Sequence, residues 1–205
     1  MTQTLMLTFD DGPTPDWTAR VIERLAVHDA KATFFVLGDR IRARPSVVRN
    51  LLAAGHRVEL HGDRHLDHRT ATADELEADT ASALKIMAAL GAKPQWWRLP
   101  WGRPGDATMT VAERHGLRIV GWDHDTHDWR GDGWDDQPAS VTGAAEHGGI
   151  VLLHDGLGKG QTRINCVNTL ELVDRFLEHA KQHGTTVAAL PDATSDLPLP
   201  DGVPA

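Results

Sequence analysis

Two adjacent carboxylates, Asp10 and Asp11, end the apolar run Leu7-Thr8-Phe9 and precede the breaker Gly12-Pro13. Neighbouring residues on a regular strand point to opposite faces, so both serve one site only where the strand gives way to a loop. Gly12-Pro13 supplies such a break. Taken alone, Asp-Asp-Gly is equally the composition of a solvated turn. Further on, His61 and His65 stand four apart in His-Gly-Asp-Arg-His, a spacing that presents two imidazoles to one ion on a single helical turn. With 12 histidines in 205 residues, about 0.7 such pairs arise by chance, so spacing alone proves little. His179 and His183 repeat it and read as the exposed face of the last helix. What sets His61 and His65 apart is their place at the end of an apolar run, like Asp11. One carboxylate and two neutral imidazoles make a three-ligand set that leaves room for water, as catalytic zinc requires.

Three later stretches have the same form. Arg98 opens Arg-Leu-Pro-Trp-Gly and is placed to hold Asp10 in a bidentate contact that keeps it ionised; the alternative is an ordinary surface arginine. Asp125-Thr126-His127-Asp128-Trp129 offers two carboxylates and an aromatic wall. Leu152-Leu153-His154-Asp155 ends an apolar run in a histidine that is either a satisfied core residue or a positioned acid-base group.

The elements that must position these groups alternate regularly. Short apolar runs over 5–9, 32–37, 57–60, 96–99, 118–122, 150–153 and 186–190 read as seven buried strands. Between them lie helical patterns: one introduced by Thr14-Pro15, one from Pro45 to Gly55, and a long one opened by the capping-box spacing of Thr72 and Glu75 and stopped by Gly91. Others span 106–115, 138–147 and 165–183. The alternation implies parallel βαβ units. Because the reactive groups follow several different strands rather than one switch point, a distorted (β/α) barrel of about seven parallel strands is expected over 1–190. A proline-rich, irregular tail is expected over 191–205.

Composition narrows the partners. A formal net charge of -8 and a pI near 5.8 disfavour nucleic acid and anionic lipid. The single cysteine, Cys166, excludes an intrachain disulfide and a thiolate cluster and reads as a packing residue. No apolar run approaches the ~20 residues of a membrane span, and no charged-then-apolar signal precedes the first strand, so a soluble cytoplasmic protein is expected, with no protein partner indicated. Six of seven tryptophans fall between Trp96 and Trp134; some suit sugar stacking and some the core.

In this order the five motifs resemble the metal-dependent polysaccharide deacetylases, carbohydrate esterase family four. The resemblance implies a distorted barrel, a divalent metal, zinc before cobalt, nickel or manganese, and hydrolysis of N-acetyl or O-acetyl groups on an amino sugar or small oligosaccharide. It makes Asp10 the general base, Asp11, His61 and His65 the metal ligands, and His154 the general acid. Arg98 resembles the partner of Asp10. Asp125 is similar to the residue that tunes the catalytic histidine, with Asp128 and Asp155 as competing carboxylates. Pro100, Trp101 and Gly102 resemble a substrate-binding segment, and Trp129 and Leu152 the walls of an acyl-methyl pocket. Around the histidines the chain departs from the family pattern at Gly62, Arg64 and Leu66, which bears on substrate preference. The other readings are an amidohydrolase or deformylase acting on a non-polymeric N-acyl compound, and a catalytically inactive carbohydrate- or metal-binding domain.

Overall fold

The longer apolar runs, through Leu7, Phe35, Leu60 and Leu153, form parallel strands because they bury both faces, one under helices and one inside a barrel. The computed structural model describes residues 3–194 together with Leu197 and Leu199. The strands are β1 (Thr4–Gly12), β2 (Thr33–Leu37), β3 (Arg57–Gly62), β4 (Trp96–Trp97), β5 (Arg118–Ile119), β6 (His124–Asp125), β7 (Gly149–His154) and β8 (Thr186–Val187). They pair in parallel in the order β5-β4-β3-β2-β1-β7-β6, with β8 beside the start of β1. The sheet curls into a distorted barrel whose end strands, β5 and β6, do not pair with one another among the described residues. The seven expected strands are present. The eighth, β6, lies where the sequence reads as a polar loop; at two residues it has no apolar period to reveal it, and it forms by pairing with Val151 and Leu152.

The pleat sorts the side chains. Leu5, Leu7 and Phe9 of β1, Val58 and Leu60 of β3, Trp97 and Leu99 at β4, and Val151 and Leu153 of β7 all join the large core beneath the helices. The alternate positions point inward: Thr8 and Asp10, Glu59 and His61, Trp96 and Arg98, Leu152 and His154. Chemistry-bearing residues therefore occupy the inward positions nearest the C-terminal strand ends.

The helices are α1 (Trp17–Val27), α2 (Gly38–Ala43), α3 (Pro45–Ala53), α4 (Ala73–Ala89), α5 (Thr108–Arg114), α6 (Ala139–Thr142), α7 (Ala144–His147) and α8 (Val167–His183). Thr14 does cap α1, its Oγ1 accepting from the N–H groups of Trp17 and Thr18 at 3.3 Å each. The capping box of Thr72 and Glu75 is complete. The single helix expected over 138–147 divides at Gly143 into α6 and α7.

At the N-terminal strand ends Phe35, Trp96, Val120, Ile150 and Leu190 fill the barrel. The described residues after Leu190 contain no helix or strand, but they are packed. Ala193 and Leu197 lie on this cluster, Ala193 N–H donates to Gln95 Oε1 at 3.0 Å, and the Trp96 indole donates to the Pro191 carbonyl at 2.8 Å. The rest of the expected tail lies outside the described residues.

Candidate active site

Asp10 and Asp11 reach one site because the β1–β2 ladder steps from Asp10↔Phe35 to Gly12↔Val36, leaving Asp11 in a bulge. Asp11 has φ 67°, a left-handed conformation that costs an aspartate roughly 1–3 kcal/mol and persists where the surroundings demand it. The break therefore falls at Asp11 itself, before Gly12-Pro13. Asp10 points inward by register, and the bulge turns Asp11 to the same mouth.

His61 and His65 also converge, though not on a helical turn as their spacing suggests. His61 belongs to β3, and His65 lies in the following loop at φ 54°. Asp79 of α4 shapes that loop, accepting from the N–H of Asp63 at 2.6 Å and from the N–H and Nε of Arg64 at 3.2 and 3.0 Å. Two departures from the family pattern thus have local reasons. Gly62 takes φ 128°, which suits glycine, and Arg64 pairs with the Asp79 carboxylate.

Asp11 Oδ1 lies 3.6 Å from His61 Nε2 and 3.3 Å from His65 Nε2. One donor atom from each of the three residues fits within a mutual 4.8 Å. Oδ1 is buried without a hydrogen-bond partner, a state that ordinarily costs about 1–3 kcal/mol and that a cation would relieve. His61 Nδ1 lies 2.8 Å from the Arg98 carbonyl, so its N–H is taken there and Nε2 is left as a lone-pair donor. Burial, reinforced by the neighbouring histidine, pushes the His61 pKa down to about 3, and burial lowers His65 as well. Two neutral imidazoles and a carboxylate oxygen fit a divalent cation.

Arg98 is fully buried inside the barrel. The expected bidentate clamp on Asp10 is instead a single contact, Nη1 to Asp10 Oδ1 at 3.1 Å, because Nη1 also donates to Thr8 Oγ1 at 2.6 Å and Nη2 to the Gly121 carbonyl at 2.8 Å. Burial raises the Asp10 pKa, against the opposing charges of Arg98 and His154.

His154 is the register partner of Asp10 on the adjacent strand β7. Its Nδ1 lies 2.7 Å from Asp128 Oδ1, and its backbone N–H donates to Asp128 Oδ2 at 2.9 Å. The carboxylate against the histidine is therefore that of Asp128, where the resemblance pointed to Asp125. The reason is local: Asp125 Oδ1 is occupied by the N–H of His127 at 2.8 Å, and the turn through His127 at φ 50° brings the second aspartate of the motif round. Asp155, the other competitor, turns away to accept from the Thr18 hydroxyl. Burial works against a charged His154, but the Asp128 carboxylate outweighs it and pushes the imidazole up to about 9. Asp128, although buried, is held below the usual carboxylate range by His154, Arg163 and Thr169.

These groups open on a cavity of about 450 Å³ lined by Asp10, Asp11, His61, His65, Asp125 and His154. Its apolar walls are Trp101, Trp122, Trp129 and Leu152, with Gly102 beside them. Pro100 is buried and does not line it. Trp96, Trp97 and Trp134 belong to the core clusters. Cys166 is buried, with its thiol pushed up to about 12 by burial. Sequence reasoning misses Gln161, whose Nε2 donates to Asp11 Oδ2 at 2.7 Å, and Arg163, which contacts Asp128 Oδ2 at 2.9 Å. Both lie in an aperiodic polar segment with no motif around them.

A cation site at the C-terminal mouth of a parallel barrel, with a buried carboxylate on one side and a carboxylate-bound imidazole on the other, is the equipment of a metal-dependent hydrolase. Residues 2–120 match the sequence profile of the family described as polysaccharide deacetylase, and the chain belongs to that family. It is 37% identical over 198 residues to a chitooligosaccharide deacetylase of Bradyrhizobium sp. (strain ANU 289), an alignment covering 93% of this chain and 90% of that one. Among solved structures, a peptidoglycan N-acetylglucosamine deacetylase in complex with 4-naphthalen-1-yl-N-oxidanyl-benzamide is similar with TM-score 0.83 at 27% identity, over 96% of this chain and 90% of that one. A family 4 carbohydrate esterase from Streptomyces lividans in complex with acetate is similar with TM-score 0.82 at 25% identity, over 97% and 98%. No helix among the described residues is long and apolar enough to cross a membrane.

Proposed function

We propose that the protein removes N-acetyl groups from an amino sugar or short oligosaccharide with the help of a zinc ion held by Asp11, His61 and His65. The observation that carries this reading is the opposite pairing of two register partners, Asp10 against the Arg98 guanidinium and His154 against the Asp128 carboxylate, beside the orphaned Asp11 Oδ1. When bound, the cation would polarise a water molecule and the acyl oxygen. The chain's own residues supply the proton transfers. Asp10, kept ionised by Arg98 and made more basic by burial, takes the proton of the attacking water. His154, held in its charged form by Asp128, delivers a proton to the departing amine nitrogen, without which an amide expels its leaving group poorly. Leu152 and Trp129 form the apolar wall against which an acetyl methyl packs, and Trp101 at the mouth offers a face to the sugar ring. Zinc is favoured over harder cations because two of the three ligands are imidazoles.

The test is acetate release from chitooligosaccharides, muropeptides, acetylated xylan and free N-acetylated sugars, with metal content measured on the same preparation. Release from at least one saccharide, lost on chelation and restored by zinc, is the expected result. A metal-loaded protein that cleaves only non-sugar N-acyl compounds, or nothing, overturns the reading.

A further inference from the structure

Arg163, in the segment between β7 and α8, has a side chain only 4% exposed. A guanidinium carries five N–H donors, and here each finds an acceptor. Nη1 donates to Asp128 Oδ2 at 2.9 Å and to Thr169 Oγ1 at 2.5 Å. Nη2 donates to the carbonyls of His154 at 2.8 Å and Gly156 at 3.1 Å. Nε donates to Gln161 Oε1 at 3.1 Å.

The last contact decides which way Gln161 points. Arg163 has no acceptor, so the amide must show it oxygen and turn its NH2 the other way, toward Asp11 Oδ2 at 2.7 Å. With Oδ2 so occupied, Asp11 presents Oδ1 to His61 and His65. The other edge of the same guanidinium holds the oxygen of Asp128 that does not face the His154 ring, leaving Oδ1 for Nδ1. We infer that Arg163 is a positioning residue for both halves of the site, orienting the metal carboxylate through Gln161 and the acid histidine through Asp128. This deepens the deacetylase reading and rests on it. One buried cation, outside the five sequence motifs, ties together two groups that reach the mouth from β1 and β7.

The two arms are separable by chemistry. An aryl acetate with a nitrophenolate leaving group departs without protonation, whereas an amide does not. Damage to the acid arm therefore lowers amide cleavage more than ester cleavage at saturating zinc, and damage to the metal arm lowers zinc affinity with that ratio unchanged. The experiment uses the full chain, with zinc affinity read by competition against a chromophoric chelator. Gln161→Ala is expected to weaken zinc binding by roughly 10–100-fold and to leave the amide-to-ester ratio at its wild-type value. Arg163→Met is expected to weaken zinc binding comparably and also to lower the ratio, chiefly through kcat rather than KM. Arg163→Lys, with a single ammonium in place of the fork, is expected to restore one arm only in part.

Wild-type zinc affinity in Gln161→Ala overturns the metal arm, whether or not Arg163→Met can be purified. A folded Arg163→Met or Arg163→Lys that loses amide and ester cleavage in equal proportion overturns the acid arm. The chelator titration needs no substrate, so a failure of the deacetylase reading is distinguishable from a failure of this one.

Discussion

Asp10 and Asp11 show how one bulge gives neighbouring residues of the same type different work. Asp10 stays in the ladder, inward, against a buried arginine. Asp11 leaves it and faces two imidazoles. Asp11→Asn removes the anionic ligand and should weaken zinc affinity strongly in a chelator titration. Asp10→Asn should keep zinc and lower kcat by roughly 10²–10⁴-fold, the usual weight of a general base. Equal zinc loss in both variants would contradict this division. His154→Ala should abolish amide cleavage while sparing hydrolysis of an aryl acetate. The pH profile of kcat/KM carries the signs of both groups. Activity rises as Asp10 loses its proton, above the ordinary carboxylate pKa of 3.8, because burial raises that group. It falls as His154 loses its own, at or below about 9, since a bound cation disfavours the imidazolium. A profile still rising at pH 10 would remove His154 as the acid.

At the scale of elements, the segment from Asp155 to Cys166 works as a wall of the candidate metal site rather than as a connection. Arg40 of α2 ties the segment to β1, donating to the carbonyls of both Leu157 and Asp11, and the segment's backbone runs so close to Asp11 that a Cβ at Gly158 would stand 2.0 Å from Oδ2. Gly158→Ala should therefore displace either the segment or Asp11. The expected outcome is zinc affinity lowered about tenfold or more with little change in thermal stability, checked by titration and melting in chelator. Wild-type affinity would mean that the segment yields instead. This wall also marks where sequence reading stops. The convergence of Asp10, Asp11, His61, His65, Arg98 and His154 at one mouth is legible because each ends an apolar run, and parallel barrels gather their strand ends there. The Thr72 capping box is legible because its two bonds are local. Asp128 takes the place expected of Asp125 through a left-handed turn at His127 that the residue types do not announce. Gln161 and Arg163 are invisible because they act across 150 and 35 positions of chain, in a stretch with neither period nor motif.

The whole molecule is a barrel with two differently finished ends. Its mouth holds the site. Its base holds a plug in which Glu59 accepts from the N–H groups of Gln95 and Trp96 at 2.7 Å each, and Arg57 reaches Asp192 at 3.0 Å. Between the two lies Arg98, stacked 4.2 Å over Phe35 and bonded to Gly121 in the unpaired seam between β5 and β6. The same guanidinium that holds Asp10 on β1 thus also holds the connection between the two end strands of the sheet. If this layer isolates the ends, a cavity made at the base should cost stability without reaching the site. Leu190 is the residue to test, being buried against the Phe35 and Trp96 cluster. Leu190→Ala should destabilise the fold by about 2–5 kcal/mol, the range for a buried leucine, as read by chemical denaturation in excess chelator. Zinc affinity and kcat, measured well below the melting temperature, should stay at wild-type values. A parallel loss of zinc affinity would instead mean that the Arg98 layer transmits the strain, and that base and mouth are one mechanical unit.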